Sequence, residues 1–220
     1  MVVQLHAFIN WRWLFVSASL IVLSACAGKA PVSPSPEQPV EKSQQPSEPS
    51  TGLRQVAVKP EVQQAFNQAV QTLKSGQHKQ AIKEFKAVAR MNSKLAAPYI
   101  NMAIAYRRSG DLKNANATVQ TALKKDPRSP EALNMQGLLQ RQAGELKAAQ
   151  KNYKKALSIY PNYPEAHLNL AILCDIYLVD WGCAKVHYGQ YQKLHGSKDK
   201  QVAGWVADLN RRMKKAGKRK

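Results

Sequence analysis

Two histidines and two cysteines fall close together towards the end of this 220-residue chain: His167, Cys174, Cys183 and His187. A pair of thiols can join as a disulfide or stay as two buried free thiols, and with the two imidazoles it could make a tetrahedral zinc site. The spacing is not that of a zinc finger, so no metal is assigned, while the bonded and free alternatives stay open. A bridge here would add roughly 2–4 kcal/mol by closing a loop in the unfolded chain. The third cysteine, Cys26, closes an apolar run from Leu14 to Ala25 that follows Arg12. Catalysis finds no footing. There is no glycine-rich phosphate loop, no serine or cysteine nucleophile beside a plausible base, and no acidic pair at catalytic spacing. The scattered carboxylates sit at turns and helix starts, where they cap or solubilise, so neither enzyme activity nor a cofactor is expected.

Whether Cys174 and Cys183 meet depends on the elements that carry them, and these follow one pattern written repeatedly. Tyr99, Met102-Ala103, Tyr106, Gly110, Ala115, Val119, Ala122 and Pro127 are followed, about 34 residues on, by Leu133, Gln136-Gly137, Gln140, Gly144, Ala149, Tyr153, Ala156 and Pro161. Small residues, Ala103 against Ala115 and Gly137 against Ala149, let two antiparallel helices approach while Tyr99, Tyr106 and Tyr153 fill the seam. Gly110 and Gly144 end the first helix of each pair, and Pro127 and Pro161 stop the second. Period and markers resemble the tetratricopeptide repeat (TPR). The resemblance implies an all-α solenoid of about four helix–turn–helix repeats, near residues 62–95, 96–129, 130–163 and 164–196 within a domain spanning 60–196, with a capping helix over 197–213 and a basic tail over 214–220.

The outer repeats keep the phase less strictly. The first carries Phe66, Ala69, Gly76, Ala81, Phe85 and Val88, with Thr72 and Ser93 in place of the usual aromatic and proline. In the fourth, Ala166, Leu170-Ala171 and Leu173 hold the register, but Ala184 and Tyr188 align only if the turn around Tyr177 to Gly182 holds one extra residue. Cys174 and Cys183 flank that turn on antiparallel helices. Gly196 closes the pair; Asp199 can cap a last helix whose Val202, Trp205, Val206, Leu209 and Met213 have helical spacing, with Trp205 sealing the final seam.

In TPR proteins the first helices line a concave groove that binds peptides. Carried over, the repeat phase places Phe66, Val70, Ile100, Ile104, Leu138, Leu168 and Ile172 towards that groove, with Arg107, Arg108, Arg141, Glu131, Glu165 and Asp175 among or beside them. Such a surface suits an amphipathic helix or an extended apolar segment of another protein. Some of these positions could instead pack between helices, Leu138 and Ile172 foremost. Asn67, Asn101 and Asn169 share one repeat position and either bond a partner's backbone or tie neighbouring helices together. The lysine-and-asparagine set with which chaperone-binding TPR domains clamp a terminal carboxylate is missing.

Residues 1–25 read as a signal peptide, because the apolar run is shorter than the ~20 residues a membrane span needs. The junction Leu23-Ser24-Ala25-Cys26 resembles a bacterial lipobox, which implies acylation of Cys26 and a lipid anchor in the bilayer. By the same resemblance to Gram-negative lipoproteins, Ala27 after the cysteine favours the outer membrane, periplasmic face. Residues 26–59, rich in proline, serine and glutamine, form a mobile tether. It would reach on the order of 100 Å if polyproline-like and ~30 Å as a coil. The signal, lipobox and repeats together resemble pilotin-like lipoproteins of type IV pilus and secretion systems, and TPR lipoproteins encoded with TonB-type components. The expected function is a scaffold that assembles an envelope machine through protein partners. A net charge of +19 opens a second reading, a tether gripping peptidoglycan, lipopolysaccharide or anionic membrane, and an adaptor for envelope hydrolases is a third. Nucleic acid would suit so basic a chain in the cytosol; the lipoprotein signal argues against it.

Overall fold

The computed structural model describes residues 58–196 and 199–217. The signal peptide expected over 1–25, Cys26 and almost all of the tether lie outside them, as do the last three residues of the basic tail. No helix among the described residues is long and apolar enough to cross a membrane.

Eight of the helices form four antiparallel pairs: α1 (Pro60–Lys74) with α2 (His78–Met91), α3 (Ala97–Arg108) with α4 (Leu112–Lys125), α5 (Pro130–Gln142) with α6 (Leu146–Ile159), and α7 (Pro164–Ile172) with α8 (Trp181–His195). A ninth, α9 (Lys200–Gly217), packs on α8. No strand occurs among the described residues. The architecture is the all-α solenoid of four repeats with a capping helix. Proline sits in the first turn of α1, α3, α5 and α7, where its missing N–H has no intrahelical partner to lose. First helices touch one another along the stack, α1 with α3, α3 with α5 and α5 with α7, while second helices make no comparable contacts among the described residues. The first helices therefore lie on the inside of the curve.

The small-residue positions are where the helix axes come closest. Ala69, Ala81, Ala103, Ala115, Ala149, Ala171 and Ala184 are fully buried. Gly137 is demanded by its own repeat: a Cβ there would lie 2.7 Å from the Tyr153 ring, inside any real contact distance. The second repeat carries Val119 where the third carries Tyr153, and accordingly has room for Ala103. Buried Val202 and Leu209 and half-buried Trp205 hold α9, with the Trp205 ring 6.3 Å from that of Tyr188. Asp199 caps this helix by accepting from the Gln201 and Val202 N–H groups.

Candidate binding surface

Ile100, Ile104, Leu138 and Ile172 are half-buried along the touching first helices, leaving part of each side chain for a partner. Two positions assigned to the groove belong to the core instead. Val70 is 9% exposed and packs with Phe66, Leu73 and Met102; Leu168 is 8% exposed. Packing of α1 against α3 covers Val70. Phe66 is only half-covered, but its ring leans on Phe85 with centroids 5.6 Å apart, so it too works mainly as packing.

Charge divides the surface by helix end. Arg107, Arg108 and Arg141 stand in the last turns of α3 and α5, and Glu131 and Glu165 in the first turns of α5 and α7. Each sign sits where the helix macrodipole favours it. Burial raises the Glu165 carboxyl above its ordinary range. The Arg141 guanidinium lies 5.5 Å from the centre of the Tyr177 ring and faces the Tyr153 phenol, which burial pushes up to about 12 against the opposing pull of that cation. Ile176 and Tyr177, over 40% exposed, extend the apolar line past Ile172. Sequence reading missed both, although they follow Ile172 on the same helix in the register of one further turn.

The asparagines resolve into different roles. Asn169 donates to Asn134 Oδ1 at 3.0 Å and so ties α7 to α5. Asn101 donates to the Ala97 carbonyl of its own helix, and Asn67 accepts from Gln63. Asn134 was not singled out from the sequence, yet the 34-residue register puts it where the other repeats carry Phe66, Ile100 and Leu168.

At the fourth repeat the chain leaves the regular pattern. Residues Leu173–Tyr177 form a π-helical turn that absorbs the extra residue, and Val179 takes φ +52° where the first three repeats place Gly76, Gly110 and Gly144 near +80°. Cys174 and Cys183 are joined as a disulfide, with Cα atoms 5.9 Å apart. The thiols are thus unavailable to a metal, and no group of three or more His, Cys, Asp or Glu side chains among the described residues could hold one. His167 and His187 meet each other instead: His167 Nε2–H donates to the Pro161 carbonyl, leaving its Nδ1 to accept from His187 Nδ1–H at 2.9 Å. Asp175, not in the groove proper but buried behind it, accepts from Arg212 of α9 at 2.8 Å.

The tetratricopeptide-repeat family matches residues 100–166. No curated protein matches the chain. Among solved structures, a thermophilic TPR protein of Thermus thermophilus superposes with a TM-score of 0.58 at 21% identity, over 67% of this chain and 80% of that one. The Pseudomonas aeruginosa protein pilF gives 0.63 at 18% identity, over 70% and 69% respectively. A tetratricopeptide repeat protein of Parabacteroides merdae gives 0.54 at 21%, over 71% and 60%. At such identities the likeness is one of fold alone. Helix pairs, small-residue seams, glycine turns and these superpositions agree: the chain has the tetratricopeptide-repeat fold.

Proposed function

We propose that the chain is a non-catalytic scaffold that docks an apolar, acidic segment of another protein across its first helices. The observation that carries this reading is the half-buried row Ile100, Ile104, Leu138 and Ile172 running beside Arg107, Arg108 and Arg141. Apolar side chains of the partner would cover the row, and its carboxylates would meet the arginines at the helix ends. Partner residues near Glu131 and Glu165 would be basic or neutral.

The lipobox-like junction at Cys26 and the proline-rich residues after it support a finer version, an outer-membrane lipoprotein that assembles or stabilises an envelope machine of the type IV pilus, secretion or TonB kind. Both depend on the resemblances quoted from the sequence. Crosslinking and pull-down of the full chain in cells, beside an Ile100→Glu, Ile104→Glu variant and an Arg108→Glu, Arg141→Glu variant, tests the docking surface. The arginine variant leaves the apolar row itself intact. With circular dichroism unchanged, a defined protein partner should fall by ~tenfold or more in both variants. Equal recovery with parent and variants would overturn the reading. Radiolabelled palmitate incorporation, with and without Cys26→Ser, tests the anchor separately.

A further inference from the structure

The joints between successive repeats recur in the same 34-residue register, so the first two can be compared side chain by side chain. In the second joint, where α4 meets α5, amides close the outer wedge. Gln120 donates to Gln136 Oε1 at 2.7 Å and Gln136 to Asn116 Oδ1 at 3.3 Å, while inside the third repeat Asn152 donates to Gln140 Oε1 at 2.7 Å. Within the fourth repeat His167 and His187 bridge α7 and α8 at 2.9 Å. Allowing for the extra residue in the fourth repeat, His187 occupies the repeat position of Asn152.

The first joint is furnished differently. Met102 stands in the place of Gln136 and cannot join an amide chain; Thr118 replaces Asn152 and is too short to cross; Ala89 replaces Leu123. A cavity of about 360 Å³ opens here between α2, α3 and α4. That volume falls in the ~300–1,000 Å³ range of small-molecule sites. Tyr99 and Tyr106 supply its aromatic surface, Lys86 and Arg90 its charge, and Thr118 and Thr121 its hydroxyls; its lining holds no carboxylate. Thr121 donates to the Ala117 carbonyl, so its oxygen is left to accept. Lys125, which donates to the Ser93 carbonyl, sits over the Tyr99 ring 5.0 Å from its centre and covers part of it.

We propose that this first joint binds a carboxylate-bearing sugar. Sugar C–H faces stack on tyrosine rings, hydroxyls find the threonine and phenol oxygens, and the acid meets Lys86 and Arg90 as charge-assisted hydrogen bonds. A neutral sugar forgoes the charge-assisted bonds to the two exposed cations. An apolar acid would leave the hydroxyls without a partner from the ligand. The site is lined by α2, α3 and α4, shares no residue with the docking row and does not depend on it.

The test is a ¹H–¹⁵N NMR titration of the full chain with glucuronic acid, with glucose and benzoate as controls at matched sodium chloride. A glucuronate-containing hyaluronan tetrasaccharide is run beside them to distinguish a free acid sugar from one held in a polymer. Saturable shifts confined to Lys86, Arg90, Tyr99, Tyr106 and Thr118 are expected with glucuronic acid or the tetrasaccharide, at least ~tenfold weaker with glucose or benzoate. Ala89→Leu, Thr118→Asn furnishes the joint like its neighbour and should abolish the response. Lys86→Gln, Arg90→Gln changes only exposed rim residues and should weaken it by ~tenfold or more even if the filled variant misfolds. No saturable shift with either acid sugar, an equal response to glucose or benzoate, or unchanged binding by the rim variant would overturn the proposal.

Discussion

Between α3 and α4 the chain reverses through Ser109 and Gly110, with Gly110 at φ +81° and the Asp111 N–H returning to the Tyr106 carbonyl. Between α7 and α8 it reverses through a π-helical turn, with Val179 at φ +52° and the Asp180 N–H returning to the Cys174 carbonyl. The closing bond is the same one, widened by a residue, and the cap survives: Asp111 accepts from the Asn114 N–H, Asp180 from the Cys183 N–H, both at 3.0 Å. What differs is where the stability comes from. The regular turn uses a residue suited to its backbone. The irregular one puts a β-branched residue in the left-handed region, a cost of roughly 1–2 kcal/mol, and offsets it with non-local ties: the disulfide, the buried Asp175–Arg212 pair and the packing of Tyr188 beneath Trp205. Three large apolar side chains left exposed at this turn, Ile176, Tyr177 and Val179, are therefore held on a braced platform.

If the braces carry the irregular turn, removing them should hurt more than any change at a regular one. The largest effect is expected at Arg212. Its partner Asp175 has a side chain only 2% exposed, so Arg212→Met leaves a carboxylate buried without its cation and should cost about 3 kcal/mol in urea unfolding. Adding Asp175→Asn should restore most of the loss, because the uncompensated charge is then gone. A single-variant loss below ~1 kcal/mol would show that α9 is not a brace. Next comes the disulfide, which closes a loop of sequence separation 9. Reduction, or Cys174→Ser with Cys183→Ser, should lower stability by about 2–3 kcal/mol. Dithiothreitol should move the parent's midpoint and leave the double-serine variant's unmoved.

The histidine pair inside the same repeat gives a pH test. Burial pushes His187 down to about 4, with the neighbouring His167 and Lys154 adding to the effect, and His167 is lowered as well. Folded-state values below the ordinary 6.5 mean that the unfolded chain takes up the protons first. Stability from this pair is complete above pH 6.5, falls as pH drops towards 4, and levels off below. Because His187 is part-exposed and screened, the loss should be on the order of 1–2 kcal/mol rather than the full linkage value. His187→Asn places here the residue type of Asn152 and should remove the His187 share of this fall while leaving that of His167.

Fold and phase were legible because they rest on periodic, local signals: glycine at the turns, alanine at the seams, proline near helix ends. The slip in the fourth repeat was legible for the same reason, as a break in the 34-residue register before Ala184. Its resolution was not, since one extra residue can enter a loop or widen a helix, and only the ties made by Asp175 to Arg212, 37 residues away, and by Cys174 to Cys183 select the second. The groove was half legible. Phase told which positions face inwards, yet whether Val70 or Ile104 keeps exposed surface depends on how closely neighbouring first helices approach, which their spacing along the chain does not encode. The emptiness of the first joint is likewise a property of several side chains at once, Ala89, Met102 and Thr118, none unusual alone.

The smallest effect is the most direct probe of the comparison. Val179 is 63% exposed, so replacing it with glycine removes little packing. The substitution relieves the left-handed strain of roughly 1–2 kcal/mol, but glycine also loosens the unfolded chain, which takes back about 0.5–1 kcal/mol. Val179→Gly should therefore stabilise by about 0.5–1 kcal/mol. The reciprocal change, Gly110→Val at φ +81° with open space around its Cβ position, should destabilise by ~1 kcal/mol, through backbone strain alone. Opposite signs in paired unfolding curves would mean that both turns ask the same thing of the backbone and that the fourth repeat holds valine there only because its braces permit it. A destabilised Val179→Gly would place the valine's contribution in the side chain, and the turn would then be a packed element in its own right rather than a strained copy of the other three.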